Sequence, residues 1–309
     1  MNNAEHIPDL DVRILGIIPP ETPINEVVKA YSRMKKTVNL LWLPVLHSAV
    51  RRYLFVNRSQ IEIAREFLDG LLCEYTYDGD SRYQIVPVPD GLSRPKTRNM
   101  VETYKRNPGV ILMSDYDLVK VSRNNGSAAD GPNFIGNRDS IKDALAVSSI
   151  ITDAIHEQLH FPRSGSKGWN RFGTHVTLST FPHRQRCSGA SNSGSIEYEE
   201  LSFKPYAPRG LMLISADSKS AGMFGDSDYL EDAARVLEEG ITGCPARSAV
   251  AFFEYSQTPH IRKDDEWKKS KEALVGKYAG NSILTEKYGK GVVQGLFRND
   301  KAEEEEGEE

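Results

Sequence analysis

Cysteine is scarce in this chain, and the three residues present, Cys73, Cys187 and Cys244, form no close pair. That spacing excludes a zinc knuckle and a disulfide framework, which both need clustered cysteines, and leaves buried, reduced thiols as the expectation. Long apolar runs are equally absent: a membrane span needs roughly 20 consecutive apolar residues, and no stretch approaches that length. The opening MNNAEHIPDLD has neither a basic start nor an apolar stretch, so no secretory signal is expected there. Also missing are a phosphate loop of the GxxxxGKS or GxxxxGKT kind, a GxGxxG fingerprint and an HExxH metal pair. Neither a cofactor nor a metal is therefore expected. Together these absences describe a soluble intracellular protein, in the nucleus or the cytoplasm, with no membrane partner.

What is present suits two domains, since 309 residues exceed the usual size of a single core. The formal charge of −4 conceals an asymmetry. The tail Ala302–Glu309 (AEEEEGEE) is almost wholly acidic, which leaves the rest near neutral or slightly basic and compatible with an anionic partner. Lacking large apolar residues, the tail is expected to stay disordered.

Leu10–Ile17 (LDVRILGI) reads as a strand ended by Pro19-Pro20. Thr22 as cap and Pro23 in the first turn predict a helix with Ile24, Val27, Val28, Tyr31 and Met34 on its apolar face. Thr37–Leu46 and Ala49–Asn57 read as strands, the second alternating so that Tyr53 and Phe55 share one face and Leu54 and Val56 the other. Ser59-Gln60-Ile61-Glu62 has capping-box spacing and opens a second helix through Ile61, Ala64, Leu68 and Leu71. Glu74–Tyr77, an Asp78-Gly79 turn and Arg82–Val88 complete a βαββαβ order.

This order resembles the RNA-recognition motif, whose third strand carries an octamer of basic, Gly, aromatic, small, aromatic, aliphatic, any and aromatic residues. Arg51-Arg52-Tyr53-Leu54-Phe55-Val56-Asn57-Arg58 matches at Arg51, Tyr53, Phe55 and Val56, and the resemblance spans about 80 residues, roughly a quarter of the chain. It departs at Arg52, Leu54 and Arg58, and the first strand presents Arg13 or Ile14 where the family shows an aromatic; alternation favours Arg13 outward. The resemblance implies a ferredoxin-like α+β fold whose sheet stacks bases on Tyr53 and Phe55 beside Arg13, Arg51, Arg52 and Arg58. The alternative is the same fold with that face covered by a helix or a partner protein.

Leu92–Arg106 is basic and reads either as an extension of this surface or as a linker with a short helix. Val110–Met113 and Leu118–Val121 read as short strands, Asn124–Gly136 as a mobile loop, and Asp139–His156 as a helix. From Gln158 to Ile196 there is no acidic residue. Within that stretch Arg163, Lys167, Arg171, Arg184 and Arg186 are interleaved with Phe161, Trp169, Phe172 and Phe181, a pattern that offers a single strand both charge and stacking. Lys167, Trp169, Arg171, Arg184 and Arg186 join the candidate RNA contacts, against the bland reading of a loop around a core strand at Thr174–Phe181.

Ser195–Lys204, Gly210–Ala216 and Arg247–Tyr255 read as strands, and Tyr229–Glu239 and Asp264–Tyr278 as helices. Ala251–Tyr255 (AFFEY) resembles the octamer, so a second recognition motif stands beside an unassigned α/β domain as an alternative. The expected division is an extension at 1–9, an RNA-recognition-like domain at 10–91, a basic linker and loop at 92–136, a second α/β domain at 137–299 and a disordered tail at 300–309. His175-Val176-Thr177-Leu178 resembles half of a two-histidine phosphoesterase, but neither His183 nor His260 has the hydroxyl residue two places on that the second half requires. The function expected is an RNA-binding adaptor for single-stranded RNA, with a protein-interaction scaffold as the alternative and an RNA-processing phosphoesterase behind both.

Overall fold

The computed structural model describes residues 9–41, 50–72, 83–105, 110–123, 133–135, 176–177, 211–215, 224–225, 229–242, 247–248, 251–255, 264–288 and 290–295. Its first strand, β1 (Leu10–Gly16), is buried at all seven positions. Strands covered on both faces are the mark of a parallel sheet lying between helices. β2 (Val50–Asn57) and β4 (Val110–Asp115) flank β1, both parallel to it, and β3 (Gln84–Val88) runs parallel on the far side of β2. β8 (Leu211–Ser215) then pairs antiparallel with β4, β7 (Val176–Thr177) antiparallel with β8, and β9 (Arg247–Ser248) parallel with β7. The sheet order is β3-β2-β1-β4-β8-β7-β9. β5 (Leu118–Arg123) lies between β6 (Asn133–Ile135) and β10 (Ala251–Tyr255) in a separate antiparallel sheet.

The fold is thus mixed α/β, as the alternation of patterns implies, but its N-terminal part is a four-stranded parallel sheet rather than a ferredoxin-like antiparallel one. One segment accounts for much of the difference. Thr37–Leu40, expected to begin a strand, continues helix α1 (Ile24–Leu40), because Val27, Tyr31, Met34 and Val38 keep one apolar stripe against the sheet. Helical period overrides the local β propensity of Thr37 and Val38. The expected hairpin at Glu74–Asp78-Gly79 lies outside the described residues. The large sheet also crosses the boundaries expected at 91/92 and 136/137, since β3, β4 and β8 belong to it together.

Helix α1 and helix α2 (Ile61–Leu72) cover one face, packing Tyr31, Met34, Ala64 and Leu68 on Leu10, Val12, Ile14, Leu54 and Val56. Helix α3 (Arg94–Thr103) contributes Val101, with Met100 and Leu92 alongside, to the opposite face of Leu15, Tyr53, Phe55, Ile111 and Met113. A fully buried Leu, Ile or Phe contributes roughly 1.5–3 kcal/mol over its exposed state, so each of these faces is a substantial core. Right-handed crossovers explain the placement: β1-α1-β2 and β2-α2-β3 advance one way, while β3-α3-β4 returns across β1 and puts its helix on the other side. The capping expectations fare differently from the helices they served. No side chain caps α1, and Ser59 instead binds Asp90 through both its N–H (3.2 Å) and its hydroxyl (2.9 Å), with a 3-10 turn at Arg58–Gln60 leading into α2.

A third apolar cluster joins α4 (Glu231–Thr242), α5 (Asp264–Tyr278), α6 (Ser282–Tyr288) and α7 (Val292–Gly295) through Ala233, Leu237, Leu274, Tyr278, Leu284 and Val293. Among the described residues no helix is long and apolar enough to cross a membrane.

Candidate functional site

Strand order reverses beside β1: the chain first builds outward through β2 and β3, then returns to place β4 on the other side. In open α/β sheets ligands bind in the crevice beyond the carboxyl ends of the strands at such a switch point. β4 delivers Asp115 to that edge, and the turn Asp115-Tyr116-Asp117 follows before β5 begins at Leu118. The two carboxylates stand close enough to repel. Burial, with the neighbouring Asp115 charge second, pushes the Asp117 carboxyl up to about 7, and the same two causes raise the Tyr116 phenol, with Asp117 the charge in its case.

Arg98, Arg94 and Glu231 gather at this turn. Arg98, on α3 and 0% exposed, sets Nη2 at 3.1 and 3.0 Å from the two oxygens of Asp115 and turns Nε toward Glu231 at 3.3 Å. Arg94, about half exposed at the start of α3, reaches Glu231 at 3.0 Å and Asp115 at 3.5 Å. Glu231 opens α4, so the network joins the N-terminal sheet to the last third of the chain. Behind it, Arg235 forms a two-pronged, fully buried bond to Glu102, at 2.6 and 2.8 Å. Phe224 sits between the guanidinium groups of Arg98 (5.7 Å) and Arg235 (5.2 Å), and its backbone exchanges two hydrogen bonds with the Asn99 amide. Charges this deep need such partners, because desolvation otherwise outweighs their attraction.

Of the residues expected to contact RNA, those described lie on β1 and β2 or just past the end of β2. Alternation along β2 is as expected, Tyr53 and Phe55 sharing one face and Leu54 and Val56 the other, but both faces are covered. Tyr53 and Phe55 pack edge-on against Tyr104, at 5.5 and 5.4 Å between ring centres, beneath α3. Arg13 is fully buried rather than outward-facing, donating to the Val101 and Glu102 carbonyls and to Asp11. Arg52 is buried as well. Arg51 is partly exposed and held by Asp11 at 2.6 Å, and Arg58 is exposed beyond the end of β2. A sheet packed on both sides offers no base-stacking platform. Lys167, Trp169, Arg171, Arg184 and Arg186 lie outside the described residues, as do the helix expected at Asp139–His156 and the acidic tail; of Asn124–Gly136, only Asn133–Ile135 is described, as β6.

Sequence reasoning passed over Asp115 and Asp117. The available signal was an apolar β-rich run, Val110–Met113, emptying into an acidic pair two residues apart. Among the described residues no group of three or more His, Cys, Asp or Glu side chains is placed to hold a metal ion. Two oxygen donors are nonetheless the protein share of many Mg²⁺ sites, where water and substrate phosphates complete the shell.

No family model matches this chain, and no curated protein matches it. Among solved structures, 4-diphosphocytidyl-2C-methyl-D-erythritol synthase from Anaerococcus prevotii is similar to it at 8% identity, covering 52% of this chain and 79% of that one with a TM-score of 0.23. A likeness so slight bears on neither fold nor function.

Proposed function

We propose that this chain is a divalent-cation-dependent transferase acting on a nucleotide-activated, phosphate-bearing donor. The observation that carries the reading is the Asp115–Asp117 pair at the carboxyl end of β4, beside the strand where sheet order reverses. Two carboxylates repel a phosphate and each other, so a hard cation between them and the phosphate oxygens is the arrangement that turns this edge into a binding site. Once bound, such an ion would polarise the phosphate and take up the charge left on it as the transferred group departs. Asp115 and Asp117 would hold the ion. Arg98 orients Asp115, and half-exposed Arg94 stands beside it, shared between Asp115 and Glu231.

The test is thermal shift and calorimetric titration of the full chain with ADP, GDP, UDP and CDP, each with Mn²⁺, with Mg²⁺ and with EDTA. One nucleotide should bind only with a cation, and Asp117→Asn should abolish that binding while leaving the protein folded. Cation-independent binding, or binding that survives Asp117→Asn, would refute the proposal.

A second reading, an adaptor for single-stranded RNA, rests on the acid-free, basic and aromatic stretch from Gln158 to Ile196. Lys167→Ala/Arg171→Ala should then weaken RNA binding in fluorescence anisotropy, with a salt dependence reflecting lost phosphate contacts. No binding of varied RNAs by folded wild type would sink it and favour a protein partner.

A further inference from the structure

The hydroxyl of Thr37 lies in the interior of α1, where a threonine ordinarily turns back to the carbonyl four residues earlier. Here that carbonyl, of Arg33, is the most distant of three acceptors at 3.4 Å. The carbonyl oxygens of Tyr116 and Leu118 are nearer, at 2.6 and 2.9 Å, both within reach of the single hydroxyl hydrogen. These two carbonyls bracket Asp117. Thr37 is fully buried, and so is Leu118, so the clasp is shielded from competing water.

We infer that Thr37 is a positioning residue for the Asp115–Asp117 pair, acting through the backbone of the turn that carries it; the inference rests on the cation-site reading above. The physical need is plain. Two like charges on one short turn drive it to splay, and a splayed turn presents its carboxylates at the wrong separation for one small ion. Carbonyls pinned on both sides of Asp117 restrict the torsions through which that motion would occur. Helix α1 is itself anchored on the sheet by Tyr31, Met34 and Val38, so the clasp refers the turn to the rigid part of the fold. Groups that orient a metal ligand from behind are typically worth 10–100-fold in metal affinity.

The experiment is titration of the full chain with Mn²⁺ alone, following the loss of the free-ion signal by electron paramagnetic resonance at 15 °C. Wild type, Thr37→Val, Thr37→Ser and Asp117→Asn are compared, with near-ultraviolet circular dichroism confirming that each is folded. Thr37→Val, which keeps the shape and deletes the donor, should weaken Mn²⁺ binding roughly tenfold, while Thr37→Ser should retain wild-type affinity. A merely structural threonine would lower the melting temperature in Thr37→Val and leave the Mn²⁺ affinity of the folded protein where it was. Wild-type affinity in Thr37→Val together with loss in Asp117→Asn would overturn the positioning role and leave the cation site standing. No Mn²⁺ uptake by wild type, or uptake unaffected by Asp117→Asn, would overturn the cation reading and this inference with it. Should Thr37→Val fail to fold, Thr37→Cys, with a weaker donor of similar size, takes its place: reduced affinity supports the role and unchanged affinity refutes it.

Discussion

Replacing Arg235 by methionine tests whether the buried ion pairs bind the two ends of this chain into one stable unit. Arg235 is fully buried and holds both oxygens of Glu102, at 2.6 and 2.8 Å, across 133 residues of sequence. Methionine fills much of the same space, so the cavity contribution is small. The main loss is electrostatic: Glu102 stays buried without its fork-shaped partner, and breaking a buried pair from one side costs about 3–5 kcal/mol. The ring of Phe224, 5.2 Å from the guanidinium carbon, adds a cation–π loss of about 0.5–2 kcal/mol. At roughly 2–4 °C per kcal/mol for a chain of this size, the melting temperature should fall by about 7–28 °C. The double variant Arg235→Met/Glu102→Leu removes both charges together and should recover most of that fall, because replacing a buried pair by apolar residues is often neutral or stabilising. Urea unfolding of wild type, both single variants and the double variant closes the cycle. Additive losses, or a single-variant loss within about 1 kcal/mol of zero, would refute the reasoning, since either outcome means the two groups are not coupled in a dry environment.

Three further outcomes follow from the packing. Phe55→Ala should destabilise the protein by about 3–5 kcal/mol in denaturant unfolding, as expected of a core aromatic; a change near zero would restore the exposed-platform reading. Gly16→Ala should cost about 1–3 kcal/mol, because the new methyl would lie 2.8 Å from Met34 Cε and 3.1 Å from the Phe55 carbonyl oxygen, and a neutral result would mean that the end of Met34 swings aside within the core. Burial alone would raise the Glu238 carboxyl, but hydrogen bonds from Tyr278 and Lys277 outweigh it and hold the group below its ordinary value near 4.5. Its contribution is therefore present above that pH and lost as pH falls through the lower folded value, so Glu238→Gln should melt below wild type at pH 7 and the gap should shrink as pH is lowered below 4.5; a pH-independent gap would assign the effect to packing instead.

Much of the local structure was legible in the residues themselves. The apolar stripes of α1, α2 and α4 and the short strands Val110–Met113 and Leu118–Val121 follow from spacing alone, because helix and strand periods are properties of the backbone. The alternation of Tyr53 and Phe55 against Leu54 and Val56 follows for the same reason. What periodicity does not carry is the content of the second face. Arg13 and Tyr53 read as an exposed face until α3, arriving from 80 residues downstream, covers them and converts Arg13 into a buried donor to its carbonyls.

The candidate site shows the same division. Asp115 and Asp117 are neighbours in sequence, but their placement at the reversal of strand order, the support of Arg98 and Glu231, and the clasp of Thr37 depend on residues 17 to 116 positions away from Asp115. Sequence by itself determined most of the helices and strands, since those choices are largely local, but not where α1 ends. Parallel pairing, two-sided burial and the gathering of charges at one sheet edge were decided only by tertiary structure, because they arise from crossovers whose partners lie far apart along the chain.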